Sequence, residues 1–322
     1  MNMKFKNVLI LLVISLMVVS LAGCGTSKEA QTSGDLPTIK IGYLPITHAA
    51  PLYVQKETEV QQKQKYNLEL VKFGSWPDLM DALNTGKING ASVLIQLAMS
   101  AKEQGIDLKA VALGHKEGNV IVTANDINKP ADLKGKNFAI PHKFSTHNIM
   151  LYLMLKQAGM SYTDVNVIQL APAEMPAALA EGRISGYVVA EPFGAKSVVI
   201  KKGKVLFQSA DIWKDSIDCA LVFRNEFIKN SPDLAQEFVA NYVKAGKKAE
   251  LKDEQDYTIL SKYMNVDKNT LDQSLQWIKY DDLKVNEASF EQLRKYAIEL
   301  GLTQNPPTYK DFVDNTFINK VK

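Results

Sequence analysis

The chain has 322 residues, with 38 Lys and Arg against 35 Asp and Glu and a formal net charge of +3. That length holds two lobes with separate cores, and the near balance of charge excludes the basic footprint of a nucleic-acid binder. With only two cysteines, Cys24 and Cys219, a disulfide-rich scaffold is excluded as well.

The chain opens on a leader. Lys4 and Lys6 precede an apolar stretch over residues 8–21 that is too short for a comfortable membrane span, and Leu21-Ala22-Gly23-Cys24 closes it. This pattern predicts a lipoprotein signal peptide over residues 1–23, with Cys24 acylated as the first mature residue. Acyl chains hold a membrane by burying methylenes at roughly 0.8 kcal/mol each. Residues 24–36 are polar and lack aromatics, which predicts a flexible tether. Cys219 is then the one thiol left, so no internal disulfide is expected.

From residue 37 strand-like and helix-like segments alternate. Strands are predicted over residues 38–43, 66–73, 91–95, 108–113, 119–123 and 137–140. A helix is predicted over residues 76–85, stopping at Gly86, and another from the end of the third strand to about residue 104. This order implies parallel sheets flanked by helices. One pattern also occurs twice. Residues 78–90 (DLMDALNTGKING) align with residues 174–186 (EMPAALAEGRISG), each reading helix, glycine stop, basic residue, strand. Two topologically similar lobes account for the repeat. Residues 37–120 with 222–322 are assigned to lobe one and residues 121–221 to lobe two. Hinge crossings are expected near residues 119–123 and 220–223, and the helix-rich tail from Glu226 is expected to wrap lobe one.

Candidate site residues fall at strand exits. Thr47 and Thr146 stand where a strand turn enters a helix, as capping residues, and His48 and His147 follow them in matched positions. Such helix starts favour anions, and ligands of open α/β sheets sit beyond the strand carboxyl ends. Gln96 and Glu191 stand at further strand exits, and Trp76, near the cap of the helix that begins the first repeat copy, is a candidate to stack on a ligand from the cleft rim. His115 is a weaker candidate, and the fourth histidine, His142, shares a turn with His147. No nucleophile elbow, phosphate-binding loop or paired-cysteine metal motif is present, which lowers the expectation of an enzyme. No cofactor is expected.

Several segments carry a family resemblance. Ile41 to Leu52 (IGYLPITHAAPL), Ser75-Trp76, Pro141 to Asn148, Met175 to Leu179, Gly186 to Phe193 (GYVVAEPF) and Asp211 to Asp215 resemble the solute-binding lipoproteins of the nitrate/sulfonate/taurine class of ABC importers. The resemblance implies a two-lobed periplasmic-binding-protein fold of type II, with a mostly parallel sheet in each lobe. It implies a monomer on the outer face of the cytoplasmic membrane, held by its lipid, that passes a small anion or organic solute to a permease and its ATPase. The ligand set expected on this basis is Thr47, His48, Trp76, Gln96, Thr146, His147, Glu191 and Cys219, with no resident metal. Two departures stand out. Nitrate-type members carry an acidic residue at the place of His48 and an anion-contacting lysine near the place of Cys219. His and Cys are soft-donor types, and the chain is also similar to members with cysteine or selenocysteine at that place, which implies as an alternative a thiophilic metal or organometal held by His48, His147 and Cys219. Enzymes of thiamine-precursor synthesis share the fold and form the alternative from another class, against which the leader argues. A structural or adhesive surface lipoprotein would show no ligand-dependent closure.

Overall fold

A computed structural model describes residues 36–58 and 64–321. The signal segment and Cys24 lie outside the described residues. In chain order the strands are β1 (Thr38–Tyr43), β2 (Asn67–Lys72), β3 (Gly90–Leu94), β4 (Leu108–Leu113), β5 (Lys116–Glu117), β6 (Asn119–Thr123), β7 (Asn137–Ile140), β8 (Asn166–Gln169), β9 (Gly186–Ala190), β10 (Lys204–Gln208), β11 (Cys219–Arg224) and β12 (Ile278–Lys279). They form two five-stranded sheets, ordered β2-β1-β3-β11-β4 and β10-β6-β9-β7-β8, and a short β12-β5 pair.

The sequence repeat is a repeat of topology. Read from the β8 edge, the second sheet is β8-β7-β9-β6-β10, so β1 answers β7, β2 answers β8 and β3 answers β9. In each sheet the first three of these run parallel. The fourth strand, β11 or β6, runs antiparallel to both its neighbours. The sheets are therefore mixed rather than purely parallel. The reversed strand is in each case the one by which the chain arrives from the other sheet, so no helical crossover precedes it. Both strands in which crossings were expected belong wholly to one sheet, β6 to the second and β11 to the first.

The local grammar of the repeat is visible in its glycines. The helix Trp76–Asn84 has Ser75 as its N-cap and Pro77 in its first turn, and Gly86 ends it at a φ of +77°. The helix Met175–Ala180 ends at Gly182 with a φ of +73°. Only glycine takes that left-handed conformation at little cost. Gly90 opens β3 against Phe223 of β11, and a Cβ there would meet the Val222 carbonyl oxygen at 2.6 Å.

The tail does more than wrap the first sheet. The helices Pro232–Ala249 and Glu254–Met264 pack on the helix Ala50–Thr58. The helix Lys268–Ser274 packs on the second sheet's helix Phe193–Val199, and the helix Glu287–Glu299 touches the helix Thr146–Gln157. Tyr152 donates to Glu299 at 2.6 Å, Lys156 pairs with the same carboxylate, and Trp213 donates to Gln292 at 2.8 Å. No helix among the described residues is long and apolar enough to cross a membrane.

Candidate functional site

Two strand exits and one strand entry of the first sheet and one helix start of the second meet at a buried cluster. His48 lies in the short 3-10 turn Thr47–Ala49 that leads into the helix Ala50–Thr58. His115 follows β4, and Asp218 and Cys219 stand at the entry of β11, which lies between β3 and β4. His147 is the second residue of the helix Thr146–Gln157 on the second sheet. All five are at most 2% exposed.

The distances centre on one carboxylate. Asp218 Oδ2 is 3.2 Å from His48 Nδ1 and 3.8 Å from His115 Nε2, and Asp218 Oδ1 is 3.6 Å from His147 Nδ1. The Cys219 sulfur lies 3.4 Å from His48 Nδ1 and 3.8 Å from Asp218 Oδ2. The His48 and His115 rings stack with centroids 3.5 Å apart. His115 Nδ1 is fixed by the Glu117 carbonyl at 2.7 Å, so it donates there and leaves Nε2 facing Asp218 with its lone pair. His147 has no hydrogen-bond partner at either nitrogen, and Asp218 Oδ1 has none.

The electrostatics follow from burial and these neighbours. Burial opposes the charge of Asp218, yet His147, His48 and His115 outweigh it and hold the carboxyl well below the usual range. Burial, with His48 adding to it and Asp218 opposing, pushes His115 well down. His147 falls to about 4, by burial first, with Asp218 pulling the other way and His48 adding. Burial and then the charge of Asp218 push the Cys219 thiol well up. At neutral pH the pocket thus presents an ionised carboxylate, neutral His115 and His147, and a protonated thiol.

The other expected residues do different work. Thr47 donates its N–H and hydroxyl to the Glu191 carbonyl at 2.9 and 3.1 Å, tying the first sheet's turn to the second sheet. Thr146 donates to the Ile217 carbonyl at 3.0 Å. Neither threonine caps its helix: Ile46 precedes the first turn without a side-chain cap, and Ser145 caps the second by accepting from the Asn148 N–H at 3.1 Å. The Glu191 carboxylate accepts from the Ala195 N–H at 2.8 Å and the Ser274 hydroxyl at 3.4 Å, and burial raises its pKa to about 7. Gln96 is buried in the first turn of the helix Ile95–Glu103, and its Oε1 has no partner. The preceding Ile95 N–H donates to the Asp218 carbonyl at 2.7 Å. Trp76 lines a separate 290 Å³ cavity with His142 and Pro172.

Asp218 was missed in the sequence, and His115 was ranked low. Asp218 is the residue before Cys219, and an acidic side chain beside a candidate thiol was the signal available. Its meeting with His115 depends on β11 inserting between β3 and β4, which no local pattern announces.

Two helix-flanked sheets of matched topology, with polar side chains converging between them, define a periplasmic-binding-protein fold and a solute-binding protein of the ABC-importer kind. The model of the NMT1-like family matches residues 33–261, and the chain belongs to that family. A Bacillus subtilis (strain 168) protein named for binding aliphatic sulfonates is 28% identical, covering 96% of each chain. The crystal structure of the ligand binding component of an ABC-type import system from Staphylococcus aureus, with zinc bound, is 42% identical. It covers 89% of this chain and 99% of that one, with a TM-score of 0.85. The periplasmic nitrate-binding protein of Synechocystis PCC 6803 is 20% identical with a TM-score of 0.79, which shows the shared fold.

Proposed function

We propose that this chain is the extracytoplasmic solute-binding subunit of an ABC importer whose cargo is a metal cation. The observation that carries this reading is Asp218, a buried ionised carboxylate at the centre of three imidazoles and a thiol. An anion about 4 Å from that carboxylate would meet roughly 4 kcal/mol of repulsion at an effective dielectric constant near 20. A cation meets attraction of the same size and finds nitrogen and sulfur donors. The donor spacing also suits an ion. Tetrahedral zinc with nitrogen at about 2.0 Å and sulfur at about 2.3 Å places its donors roughly 3.3 to 3.8 Å apart. The distances around Asp218 and Cys219 run from 3.2 to 3.8 Å. The Staphylococcus aureus neighbour with zinc bound supports the same choice.

In this reading His48, His147 and Cys219 are joined as candidate donors by His115 and Asp218, and a tetrahedral ion takes four of the five. Thr47 and Glu191 tie the two lobes together over the loaded site, and Gln96 and Thr146 line its approach. The lobes move about the connections on either side of β6 and β11. Cys24 carries the lipid that holds the subunit on the outer face of the membrane, where it works as a monomer and hands its ion to a permease and ATPase. It performs no covalent chemistry on the cargo.

Calorimetric titration of the full-length chain with Zn(II), nitrate and taurine tests the cargo. Zinc at one hundred times its Kd is expected to stabilise the fold by about 2.7 kcal/mol and raise Tm, with neither anion doing so. A rise in Tm with nitrate or taurine and none with zinc would return the site to the anion class.

A further inference from the structure

The coordinating atoms of His48, His115, Asp218 and Cys219 all lie within 4.8 Å of one another, and all four side chains are buried. A second observation marks the cluster as a ligand site: both nitrogens of the buried His147 and Asp218 Oδ1 are unpartnered. Within it the charges are unequal in kind. The three imidazoles bring no fixed charge when they act as ligands, whereas a carboxylate and a metal-bound thiolate each bring one negative charge.

We infer that Asp218 sets the valence of the ion this site accepts, pairing with Cys219 to match the cluster to a divalent ion of borderline or soft character. The inference rests on the reading of the cargo as a metal ion. Uncompensated charge in a buried site is heavily penalised, so a site of this kind selects cargo that brings its net charge to zero. A dication bound by Asp218 and the Cys219 thiolate is neutral overall. On binding, a metal–sulfur bond forms and the thiol proton leaves to solvent, with no change of oxidation state. A monovalent soft ion in the same donors leaves one negative charge unbalanced. Magnesium and calcium demand more oxygen ligands than one carboxylate supplies and are refused by donor type. Cys219 therefore supplies softness, and Asp218 supplies the second charge.

The test compares Cd(II) with Ag(I), two soft ions of different valence, by chelator competition on the full-length chain. Asp218→Asn keeps the shape and removes the charge. It is expected to weaken Cd(II) binding by about 100-fold and Ag(I) binding by less than about tenfold, so the Cd/Ag affinity ratio falls at least about tenfold. Cys219→Ser removes the soft donor together with the thiolate charge and is expected to weaken both ions by more than about tenfold. Asp218→Glu keeps the charge and is expected to keep the wild-type ratio within a few-fold. Asp218→Ser, a second charge-removing variant, carries the same reading where the Asn variant lacks a cooperative melting transition. Equal losses of Cd(II) and Ag(I) in the charge-removing variants overturn the valence role of Asp218 while leaving the metal reading intact. A wild-type chain that binds neither ion overturns the metal reading itself.

Discussion

His48 and His147 occupy the same place in two copies of one topology, yet their surroundings differ. His48 Nδ1 lies 3.2 Å from Asp218 and 3.4 Å from Cys219, and its other nitrogen is 3.5 Å from the Gly118 carbonyl. His147 approaches Asp218 no closer than 3.6 Å and forms no hydrogen bond. The first sheet assembles a nearly self-satisfied site from the turn after β1, the exit of β4 and the entry of β11. The second sheet contributes one imidazole with its donor capacity unspent. A duplicated scaffold has been filled asymmetrically, with the charged and thiol groups gathered on one side.

The largest expected effect tests that asymmetry directly. His48→Ala takes away a ring that touches Asp218, Cys219 and His115, leaving a buried carboxylate short of a partner. Losses of this kind cost about 3–5 kcal/mol of folding stability, and with a donor gone zinc affinity is expected to fall by about 100-fold or more. His147→Ala breaks no side-chain hydrogen bond, removes only the 3.6 Å approach to Asp218, and is expected to cost roughly tenfold. Competition titrations that ranked the two variants equally, or in the reverse order, would show that both lobes share the load.

Glu191 extends the comparison to the exits of β3 and β9. The first sheet places uncharged Ile95 and Gln96 after β3, whereas the second places a buried carboxyl with a pKa near 7 after β9. Burial is the chief cause, against the Ala195 and Gly194 N–H groups and the Ser274 hydroxyl. An unfolded Glu titrates near 4.3, so between about pH 4.3 and 7 the native state holds a proton that the unfolded state has lost. The group's contribution is complete below that window, falls as pH rises through it, and levels off above it. Urea unfolding of wild type and Glu191→Gln across this range is expected to diverge by about 3 kcal/mol, the variant lacking the slope. Parallel stability curves would mean that the carboxyl is ionised throughout.

Much of this was legible in the sequence, and the reason is local. Periodicity placed β1, β4, β6 and β7 to the residue, and the stops at Gly86 and Gly182 together with the shared helix–stop–strand pattern exposed the duplication. His48 and His147 could be paired because they follow equivalent strands. The site's centre was not legible. Asp218 and His115 are 103 residues apart in number and meet only because β11 lies against β4, with Ala220 opposite Leu113. Helix capping differs for a smaller reason: serine and threonine are adjacent at 145–146, and Ser145 takes the extended cap conformation.

The paired glycines offer a smaller effect. A methyl at Gly90 would strike Phe223 and the Val222 carbonyl, which is backbone of the neighbouring strand and cannot step aside. A methyl at Gly186 would meet side-chain carbons of Phe138 at 2.8 Å and of Thr123 at 3.1 Å. Overpacking costs about 1–3 kcal/mol, so Gly90→Ala is expected near the top of that range and Gly186→Ala near the bottom. Thermal unfolding of the two variants reads the difference, and equal Tm losses would show that the Val222 backbone yields as readily as a side chain.

The smallest effect separates the two caps. Ser75 accepts from the Asp78 N–H at 3.3 Å and donates to the Asp78 carboxylate at 2.8 Å. Ser145 accepts from the Asn148 N–H at 3.1 Å and donates to the His142 carbonyl at 2.6 Å. Each alanine variant is expected to lose about 1 kcal/mol of stability, since each leaves one helix-start N–H without its side-chain acceptor. Their effects on binding should differ. His147 is two residues beyond Ser145, on the turn that this cap orders, and fraying there moves the imidazole that the second sheet brings to the cluster. Trp76, next to Ser75, lines a cavity separate from the cluster. Ser145→Ala is therefore expected to weaken zinc binding a few-fold at equal stability loss, with Ser75→Ala leaving it unchanged. Matched zinc affinities in the two variants would mean that His147 is positioned by its packing alone, without help from the start of its own helix.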